Sequence, residues 1–242
     1  MRLSQPELTE IRRSRRRPRV VQFDYLHLRF MLLGLEEALE RVPVPPDDVL
    51  DVWCGSRPYD DLLPSSARVV GLDVEGNPYG IADVVSDEIL PFGDRSFDLL
   101  LCIQSFQYLP DAESAISEFQ RVLRPGGTAL VALPFALDYD PRILERRYTV
   151  PQLVALFEGW DDVVVRESGG RIVTWTVLTA SLLRSVELRV TRPRLLRRAT
   201  YLFRGAYAAL NAFGLALARL EGRGEGAGAL PMNIVLTARR AQ

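Results

Sequence analysis

Short apolar segments that alternate with helical patterns constrain the fold of this chain more than any other feature. Four of them have the length and composition of buried strands: Val49–Val52, Arg68–Asp73, Phe97–Cys102 and Thr128–Leu133. Strands separated by helices form right-handed β-α-β units, whose sheet is largely parallel and is covered on both faces. We therefore predict an α/β fold with a doubly wound, mostly parallel sheet and helices on both faces.

Helical periodicity and helix-breaking residues locate the elements around these strands. Helices are predicted within Phe23–Leu39, Ala112–Leu123 and Val150–Phe157, and further strands at Asp162–Arg166 and Asn233–Ala238. The sequence Pro125-Gly126-Gly127 is interpreted as the turn between the second of these helices and the strand that follows it.

About sixty residues separate the last two predicted strands, far more than a simple connection requires. We interpret residues 21–170 and 230–242 as the core, and 171–229 as a helical insertion. A helix from about Leu195 to Leu220 is predicted by an apolar stripe of Leu202, Ala206, Leu210, Phe213, Leu217 and Leu220. Such a helix serves as a lid or packing layer, or else attaches to a membrane surface or a second copy.

Within residues 1–20, six arginines cluster at positions 12, 13, 15, 16, 17 and 19. This segment predicts a charged, partly mobile arm that is solvated. The alternative is a salt-sensitive attraction to acidic lipid or nucleic acid.

Composition excludes several classes of protein. The 242 residues are 48% hydrophobic and carry a formal net charge of −1, which is typical of a globular domain and not of a disordered chain or a basic nucleic-acid coat. Cys54 and Cys102 lie far apart, so reduced thiols without a metal site are expected. No signal-peptide pattern or bilayer-spanning run is present, so we expect a cytoplasmic protein, at most peripherally attached to a membrane.

The first predicted strand ends in Asp51 and turns through Trp53-Cys54-Gly55. A doubly wound sheet binds its ligand at this place, and a dinucleotide-binding protein has the pattern G-x-G-x-x-G there. A carboxylate at the strand end suits a ligand with a positive amino group and would repel a pyrophosphate.

The second predicted strand ends in Asp73, and 73 minus 51 gives a separation of 22 residues. Nucleotide-binding folds place a carboxylate for the ribose hydroxyls at about this separation, and its two oxygens can accept charge-assisted hydrogen bonds from a vicinal diol. The alternative is a turn or helix-cap residue.

Three segments together resemble the class I S-adenosylmethionine-dependent methyltransferases that act on small molecules. The first motif, which begins at Asp51, is similar to D-x-G-x-G-x-G. Trp53 and Arg57 stand in place of its first and third glycines. The cofactor must therefore tolerate these two large side chains, or the side chains must point away from it. Residues 82–98 match an acidic residue before L-P-F followed by S-F-D, and residues 121–127 match R-V-L-x-P-G-G. These matches occur in order between Val49 and Pro134.

The resemblance implies a Rossmann-like sheet of seven strands and S-adenosylmethionine as the cofactor. By it, Asp51 holds the amino-acid end, Gly55 admits the cofactor, and Asp73 binds the ribose. It assigns Asp87 to the adenine amino group, with Asp83 as the alternative. It also places Trp53, Cys54, Ile89 and Gln104 along the cofactor site.

The resemblance further implies methyl transfer to a small-molecule acceptor, which the sequence does not identify. His27, Tyr108 and Tyr148 are the candidates for the acceptor side, and His27 is alternatively a packing residue of its helix. A hydrophobic acceptor and peripheral membrane contact, through the arm or the 195–220 helix, are lesser expectations. The competing interpretations are a noncatalytic methyltransferase-like binding or scaffold protein, prompted by Trp53, and a nucleic-acid methyltransferase, disfavoured by the absence of N-P-P-Y or D-P-P-Y.

Overall fold

A seven-stranded sheet forms the centre of the computed structural model, which describes residues 3–86, 90–138, 143–191, 198–221 and 230–242. Its strands are β1 (Asp48–Val52), β2 (Arg68–Asp73), β3 (Val84–Val85), β4 (Phe97–Ile103), β5 (Leu123–Pro134), β6 (Asp161–Ser168) and β7 (Asn233–Arg239). They lie in the order β3-β2-β1-β4-β5-β7-β6, and β7 alone runs antiparallel to its neighbours. The predicted doubly wound, mostly parallel α/β fold is confirmed.

Six helices surround the sheet in the described part of the chain. They are α1 (Gln5–Arg16), α2 (Tyr25–Leu39), α3 (Ala112–Val122), α4 (Val150–Leu156), α5 (Arg171–Val190) and α6 (Thr200–Glu221). Successive residues of a strand point to opposite faces, so in β4 Leu100 packs with α3 and α4 while Leu99 and Leu101 pack with α2. On the outer side of α2, Leu26 packs against Val173 and Val177 of α5.

The connection between β1 and β2 contains no α-helix. Its only regular element is a 3-10 turn at Asp60–Leu62, and Pro58 and Pro64 flank that turn. The sheet face beside it is covered by α2, against which Tyr59 and Leu63 pack. The loop after β1 is therefore free of the helix start that follows the equivalent loop in dinucleotide-binding folds.

The N-terminal segment, predicted as a charged arm, forms helix α1. Ser4 and Glu7 make a reciprocal capping box at its start, and Leu8 is buried. Arg12 Nε donates to the Ser56 carbonyl oxygen at 2.6 Å, and Arg16 pairs with Asp61 at 2.8 Å. Because these contacts reach the loop after β1, α1 lies over that loop.

The structure differs from the sequence predictions at two further places. Helix α5 was not predicted, because its apolar residues occur on both its inner and outer faces and blur the helical period. Pro125-Gly126-Gly127 lies within β5, which begins at Leu123, so the prediction of a turn between helix and strand is wrong. Gly126, with φ +79°, kinks the strand and donates to the Arg240 carbonyl oxygen at 2.9 Å.

The helix predicted from about residue 195 is confirmed as α6 from Thr200, while residues 192–197 lie outside the described residues. None of the described helices is both long and apolar enough to cross a bilayer.

Candidate active site

The strand order reverses between β1 and β4, so the crevice at their carboxyl ends is the expected ligand site of this sheet. Three residues named from the sequence end the strands there: Asp51 on β1, Asp73 on β2 and Gln104 after β4. These three positions therefore lie at one edge of the sheet. The predicted convergence of Asp51, Asp73 and Asp87 on one ligand stays a prediction, because Asp87 lies outside the described residues.

The loop after β1 turns back tightly over β2. Trp53, Gly55 and Arg57 have φ angles of +53°, +55° and +48°. The backbone nitrogen of Cys54 donates to the Leu72 carbonyl oxygen at 3.0 Å. A left-handed conformation at a non-glycine residue costs of order 1–3 kcal/mol and persists at ligand sites where other contacts fix it. The loop is thus a strained element held at the expected binding edge.

The side chain of Trp53 packs into the core on the α3 side of the sheet. Its ring lies 6.1 Å from the Phe119 ring between centroids. The series continues from Phe119 to Phe106 at 6.4 Å and from Phe106 to Tyr148 at 5.5 Å. The indole that replaces the first glycine of the motif is therefore accommodated by an aromatic series that joins the loop to the segment after β5.

Arg57, at the third glycine position, lies over β2 in an ion-pair network. It pairs with Asp60 at 3.1 Å and Asp83 at 2.7 Å. Asp83 also accepts from the Gly71 nitrogen at 2.8 Å, and a Cβ on Gly71 would lie 3.1 Å from Arg57 Cδ. Asp83, the alternative residue for adenine, is therefore occupied by this network, while Asp87 and Ile89 lie outside the described residues.

The Asp51 carboxyl is buried without a compensating partner. Its residue is 5% exposed, and none of the described residues donates a hydrogen bond to it. Burial, and then repulsion from Asp60 and Asp73, raise the pKa of Asp51 to about 8, although Arg57 acts in the opposite direction. A cationic group placed beside this carboxyl would favour its ionised form, so the site is built for a positive charge.

Gly55 leaves the approach to this carboxyl open. A Cβ built on it meets only Tyr79, at 3.7 Å, and its positive φ disfavours other residues. The requirement for a small residue, inferred from the motif, therefore has a geometric basis.

Asp73 differs from Asp51 because the protein already saturates most of its carboxylate. It accepts from the Gly55 nitrogen at 2.8 Å, the Val74 nitrogen at 2.8 Å and Asn77 Nδ2 at 2.6 Å. A carboxylate offers about four acceptor positions. Two side chains are among its donors, Asn77 through Nδ2 and Cys54 through Sγ at 4.0 Å. Asp73 therefore fixes the loop after β1 as well as offering an acceptor, and Asn77 is the exchangeable donor that a ligand hydroxyl can replace.

Gln104 lies at the other side of the crevice, in a left-handed conformation with φ +57°. Its Nε2 donates to Asn233 Oδ1 at 3.3 Å, and Asn233 Nδ2 donates to the His27 carbonyl oxygen at 3.2 Å. Gln107 Nε2 donates to the Gln104 carbonyl oxygen at 3.0 Å. This polar chain links β4, β7 and α2; sequence reasoning missed Asn77, Gln107 and Asn233, for which no motif exists.

The three acceptor-side candidates differ in burial. His27 is buried, and burial with the nearby charge of Arg15 lowers its pKa to about 4, so the imidazole is neutral near pH 7. Its Nδ1 and the Tyr148 hydroxyl have no hydrogen-bond partner among the described residues, and burial raises the pKa of Tyr148. Tyr108 is 45% exposed.

Cys54 and Cys102 are buried free thiols. Burial raises the pKa of both, that of Cys102 to about 12, so neither is a thiolate nucleophile near neutral pH. In the described part of the chain no cluster of three metal-ligating side chains occurs.

Comparison with known proteins places this site within a recognised domain. Residues 50–131 match the sequence model of a methyltransferase domain family. The chain is 35% identical over 104 residues to a probable S-adenosylmethionine-dependent methyltransferase of Mycolicibacterium smegmatis, covering 39% of this chain and 40% of that protein. It is 42% identical over 127 residues to a ubiquinone/menaquinone biosynthesis C-methyltransferase of Hahella chejuensis, covering 45% and 50%.

The fold is shared with the crystal structure of the cyclase SpnF, at a TM-score of 0.54 and 20% identity over 87% of this chain and 80% of that one. The chain spans half or less of the length of the two curated relatives described above. The matched domain model, residues 50–131, spans β1 to β4 and most of β5.

Proposed function

We propose that this chain, whose residues 50–131 form a methyltransferase domain of the class I S-adenosylmethionine-dependent type, transfers a methyl group from S-adenosylmethionine to a small organic acceptor. The observation that carries the proposal is the carboxyl of Asp51, which is buried without a hydrogen-bond donor among the described residues. It lies at the carboxyl edge of the sheet between β1 and β4, where the strand order reverses. The amino-acid end of this cofactor carries the ammonium group that such a carboxyl requires.

The loop after β1 supports this cofactor over a dinucleotide. A pyrophosphate is usually bound by the amino end of the helix that follows this loop, and here only a 3-10 turn follows it. Asp51 and Asp60 would also repel a phosphate, whereas they attract an ammonium group. The charge and the backbone of the loop thus select the same class of ligand.

When bound, S-adenosylmethionine supplies a methyl group on a positively charged sulfur. The protein's own task is to align the acceptor with that methyl group and to exclude water. Helix α1 lies over the loop through the Arg12–Ser56 contact, and the aromatic series from Trp53 to Tyr148 makes one wall apolar. These elements are suited to exclude water from the crevice.

The acceptor lies on the side of Gln104, Asn233 and His27. The polar chain, which reaches the backbone carbonyl of His27, orients it. His27 is the candidate base where the acceptor must lose a proton, because its imidazole is neutral near pH 7 and its Nδ1 has no partner among the described residues, although a pKa of about 4 makes it a weak base. A largely apolar acceptor is in keeping with the buried Tyr148 ring and with the role in ubiquinone and menaquinone biosynthesis named for the relative from Hahella chejuensis. The free thiols of Cys54 and Cys102 are in keeping with a cytoplasmic location.

Calorimetric titration of the full chain with S-adenosylmethionine and S-adenosylhomocysteine tests the cofactor. Asp51→Asn should weaken binding at least about 30-fold, because removing one partner of a buried charge pair costs at least about 2 kcal/mol. Asp48→Asn is the matched control, since Asp48 begins the same strand at the opposite edge of the sheet. Equal effects of the two substitutions, or no binding to the unaltered chain, would contradict the proposal.

Transfer itself is tested by mass spectrometry of a panel of quinols, phenols and amines incubated with the chain and the cofactor. His27→Gln should lower the rate constant for a hydroxyl acceptor while leaving cofactor affinity unchanged. Cofactor binding without a methylated product across the panel would favour the binding or scaffold alternative.

A further inference from the structure

Helix α5 exposes a row of large apolar side chains on its outer face. Trp175, Leu178, Leu182 and Val186 recur at helical spacing and all are exposed, Leu182 at 68%. The opposite face of α5 is buried against α2 and α6 through Val173, Val177 and Ala180. The outer row is therefore not needed for packing within the described chain.

Helix α6 has a matching row along its whole length. Leu202, Phe213 and Leu220 are 77%, 53% and 80% exposed. At 100° per residue they lie within about 20° of one direction, and the exposed residues between them on that side are alanines 206, 209 and 216. No charged residue interrupts this face.

The two rows lie on the same side of the helix pair. The helices are antiparallel, because Glu221 at the end of α6 accepts from the backbone nitrogens of Arg171 and Ile172 at the start of α5, at 2.8 and 3.2 Å. Their contact is made by Thr176 against Gly214 and by Glu187 with the Tyr207 hydroxyl. Viewed down the helix axis, each of these four residues lies about 120–140° around its helix from the apolar row, measured from Leu182 on α5 and from Leu202 on α6. The rotation has the same sense in both helices. In an antiparallel pair this geometry joins both rows into one apolar surface.

The surroundings of this apolar surface are basic. Four exposed arginines, which an anionic surface would attract, lie on the apolar surface or beside it: Arg171, Arg189, Arg198 and Arg219. Arg204 lies on the opposite face of α6, about 200° from Leu202. The only acids in the described residues of the pair are Glu187, which is buried with Tyr207 and Arg184, and Glu221, which caps α5. Arg171 and Arg189 lie in line with the row of α5, one at each end.

We propose that the α5–α6 surface binds the headgroup–acyl boundary of an anionic lipid bilayer. A large apolar face with tryptophan and flanking arginines is the composition of a helix surface that lies in this boundary. In a two-fold dimer the same surface would meet itself, which would bring the arginines together without acidic partners. The charge therefore favours lipid over a second copy. The inference does not depend on the proposed methyl transfer.

Co-sedimentation of the full chain with vesicles tests this surface. Equimolar phosphatidylcholine and phosphatidylglycerol should bind the chain, and phosphatidylcholine alone should bind it far less. The double variant Leu182→Ser and Phe213→Ser should lower the partition coefficient at least about tenfold. The matched control is Val44→Ser, which alters a 70% exposed apolar residue outside the helix pair and should leave partitioning unchanged.

Charge reversal separates the electrostatic contribution. Each arginine near an anionic surface contributes about fivefold in partitioning, so Arg189→Glu with Arg219→Glu should lower binding at least about 25-fold. Arg41→Glu, an exposed arginine elsewhere, serves as the control. Light scattering of the unaltered chain and of each variant measures the mass in solution, which is compared with the 27.2 kDa of one chain to detect a dimer.

Three outcomes would overturn the inference. These are a failure of the unaltered chain to bind anionic vesicles, equal binding by the Leu182/Phe213 variant, and a solution dimer that the Leu182/Phe213 substitutions dissociate. Because the substituted side chains are exposed, cofactor titration should give the same affinity before and after substitution. Loss of vesicle binding with retained cofactor binding thus distinguishes this surface from the active site.

Discussion

The carboxyl edge of the sheet and the outer surface of the α5–α6 pair depart from ordinary protein composition in opposite directions. At the edge, Asp51 and Asp73 are buried carboxyls, and burial raises the pKa of Asp51. On the helix pair, Leu182 and Leu220 are apolar side chains that face solvent. A buried polar group and an exposed apolar patch are both exceptions to the usual burial of residue types, and each can mark a place where a ligand or partner binds.

The comparison teaches that each region is incomplete in a different sense. The edge lacks a positive charge, which a small cationic ligand supplies, whereas the helix pair lacks an apolar cover of large area. Substitutions in the two regions should therefore have different consequences. Those at the edge change both cofactor affinity and the free energy of unfolding, and those on the outer surface change neither.

The largest effect is expected at Asp51. Asp51→Asn should weaken cofactor binding at least about 30-fold while it stabilises the cofactor-free chain. The pKa of Asp51 is about 8 in the folded state, so the unfolded chain releases this proton near pH 4 while the folded chain keeps it up to about pH 8. The free energy of unfolding therefore falls progressively as the pH rises from about 4 to about 8. Thermal unfolding without cofactor should show the gain growing over this range. A variant that is less stable at pH 8 would contradict the assignment.

Asp73 should behave differently although it is equally buried. Asp73→Ala removes the acceptor for the Gly55 and Val74 nitrogens, and each buried donor left unpaired costs about 1–3 kcal/mol. We expect a loss of about 2–4 kcal/mol in the free energy of unfolding, measured by urea denaturation. Asn77→Ala removes one side-chain donor to Asp73 and the acceptor of the Tyr79 nitrogen, both part-buried. It is the comparison variant and should cost less than Asp73→Ala.

Adjacent residues of α6 should separate the inner and outer faces of the helix pair. A Cβ on Gly214 would lie 2.6 Å from Thr176 Oγ1 and 3.0 Å from Leu26 Cδ1. Gly214→Ala should therefore cost about 1–2 kcal/mol, despite the better helix propensity of alanine. Phe213→Ala on the outer face should change stability by less than about 0.5 kcal/mol. If denaturation gave both variants the same cost, the distinction between the faces would fail.

The smallest effect concerns acid stability at His27. Its folded pKa of about 4 lies below the unfolded value of about 6.5, so stability is present above pH 6.5 and is lost as the pH falls towards 4. Between pH 7 and pH 6 the loss should be about 0.5–1 kcal/mol. His27→Leu should flatten this part of the profile, and Asp51→Asn should not. An unchanged slope in the His27 variant would show that another group controls it.

The elements of the sheet could be predicted because their signals are local. Alternating apolar runs located six of its seven strands, and the resemblance to class I methyltransferases supplied the number seven. Helix α5 escaped prediction because its outer face is as apolar as its inner face, which is the same property that makes its surface a binding candidate. The capping box of α1 was readable as Ser4-x-x-Glu7, yet the arginines that follow it suggested an arm.

The candidate site could be predicted only in part. Asp51 and Asp73 were placed because strand ends meet at one edge, and Gly55 and Gln104 by the resemblance to class I methyltransferases. Asn233 and Asn77 were not, because an amide side chain has no motif and its role depends on what folding brings beside it. The direction of the Trp53 and Arg57 side chains likewise follows from positive φ angles and from Phe119 and Asp83, none of which the motif encodes.

The sequence by itself determined six of the seven strands and the helices α2, α3, α4 and α6, and that strands end in polar residues at a shared edge, because period and turn chemistry act over a few residues. The tertiary structure decided which of these acids is free and which is occupied. The Asp73–Gly55 bond spans 18 residues and the Asn233–His27 bond spans 206. Partners so far apart are chosen by packing, as is the side of each helix that meets solvent, so only the assembled fold separates the free carboxyl of Asp51 from the occupied one of Asp73.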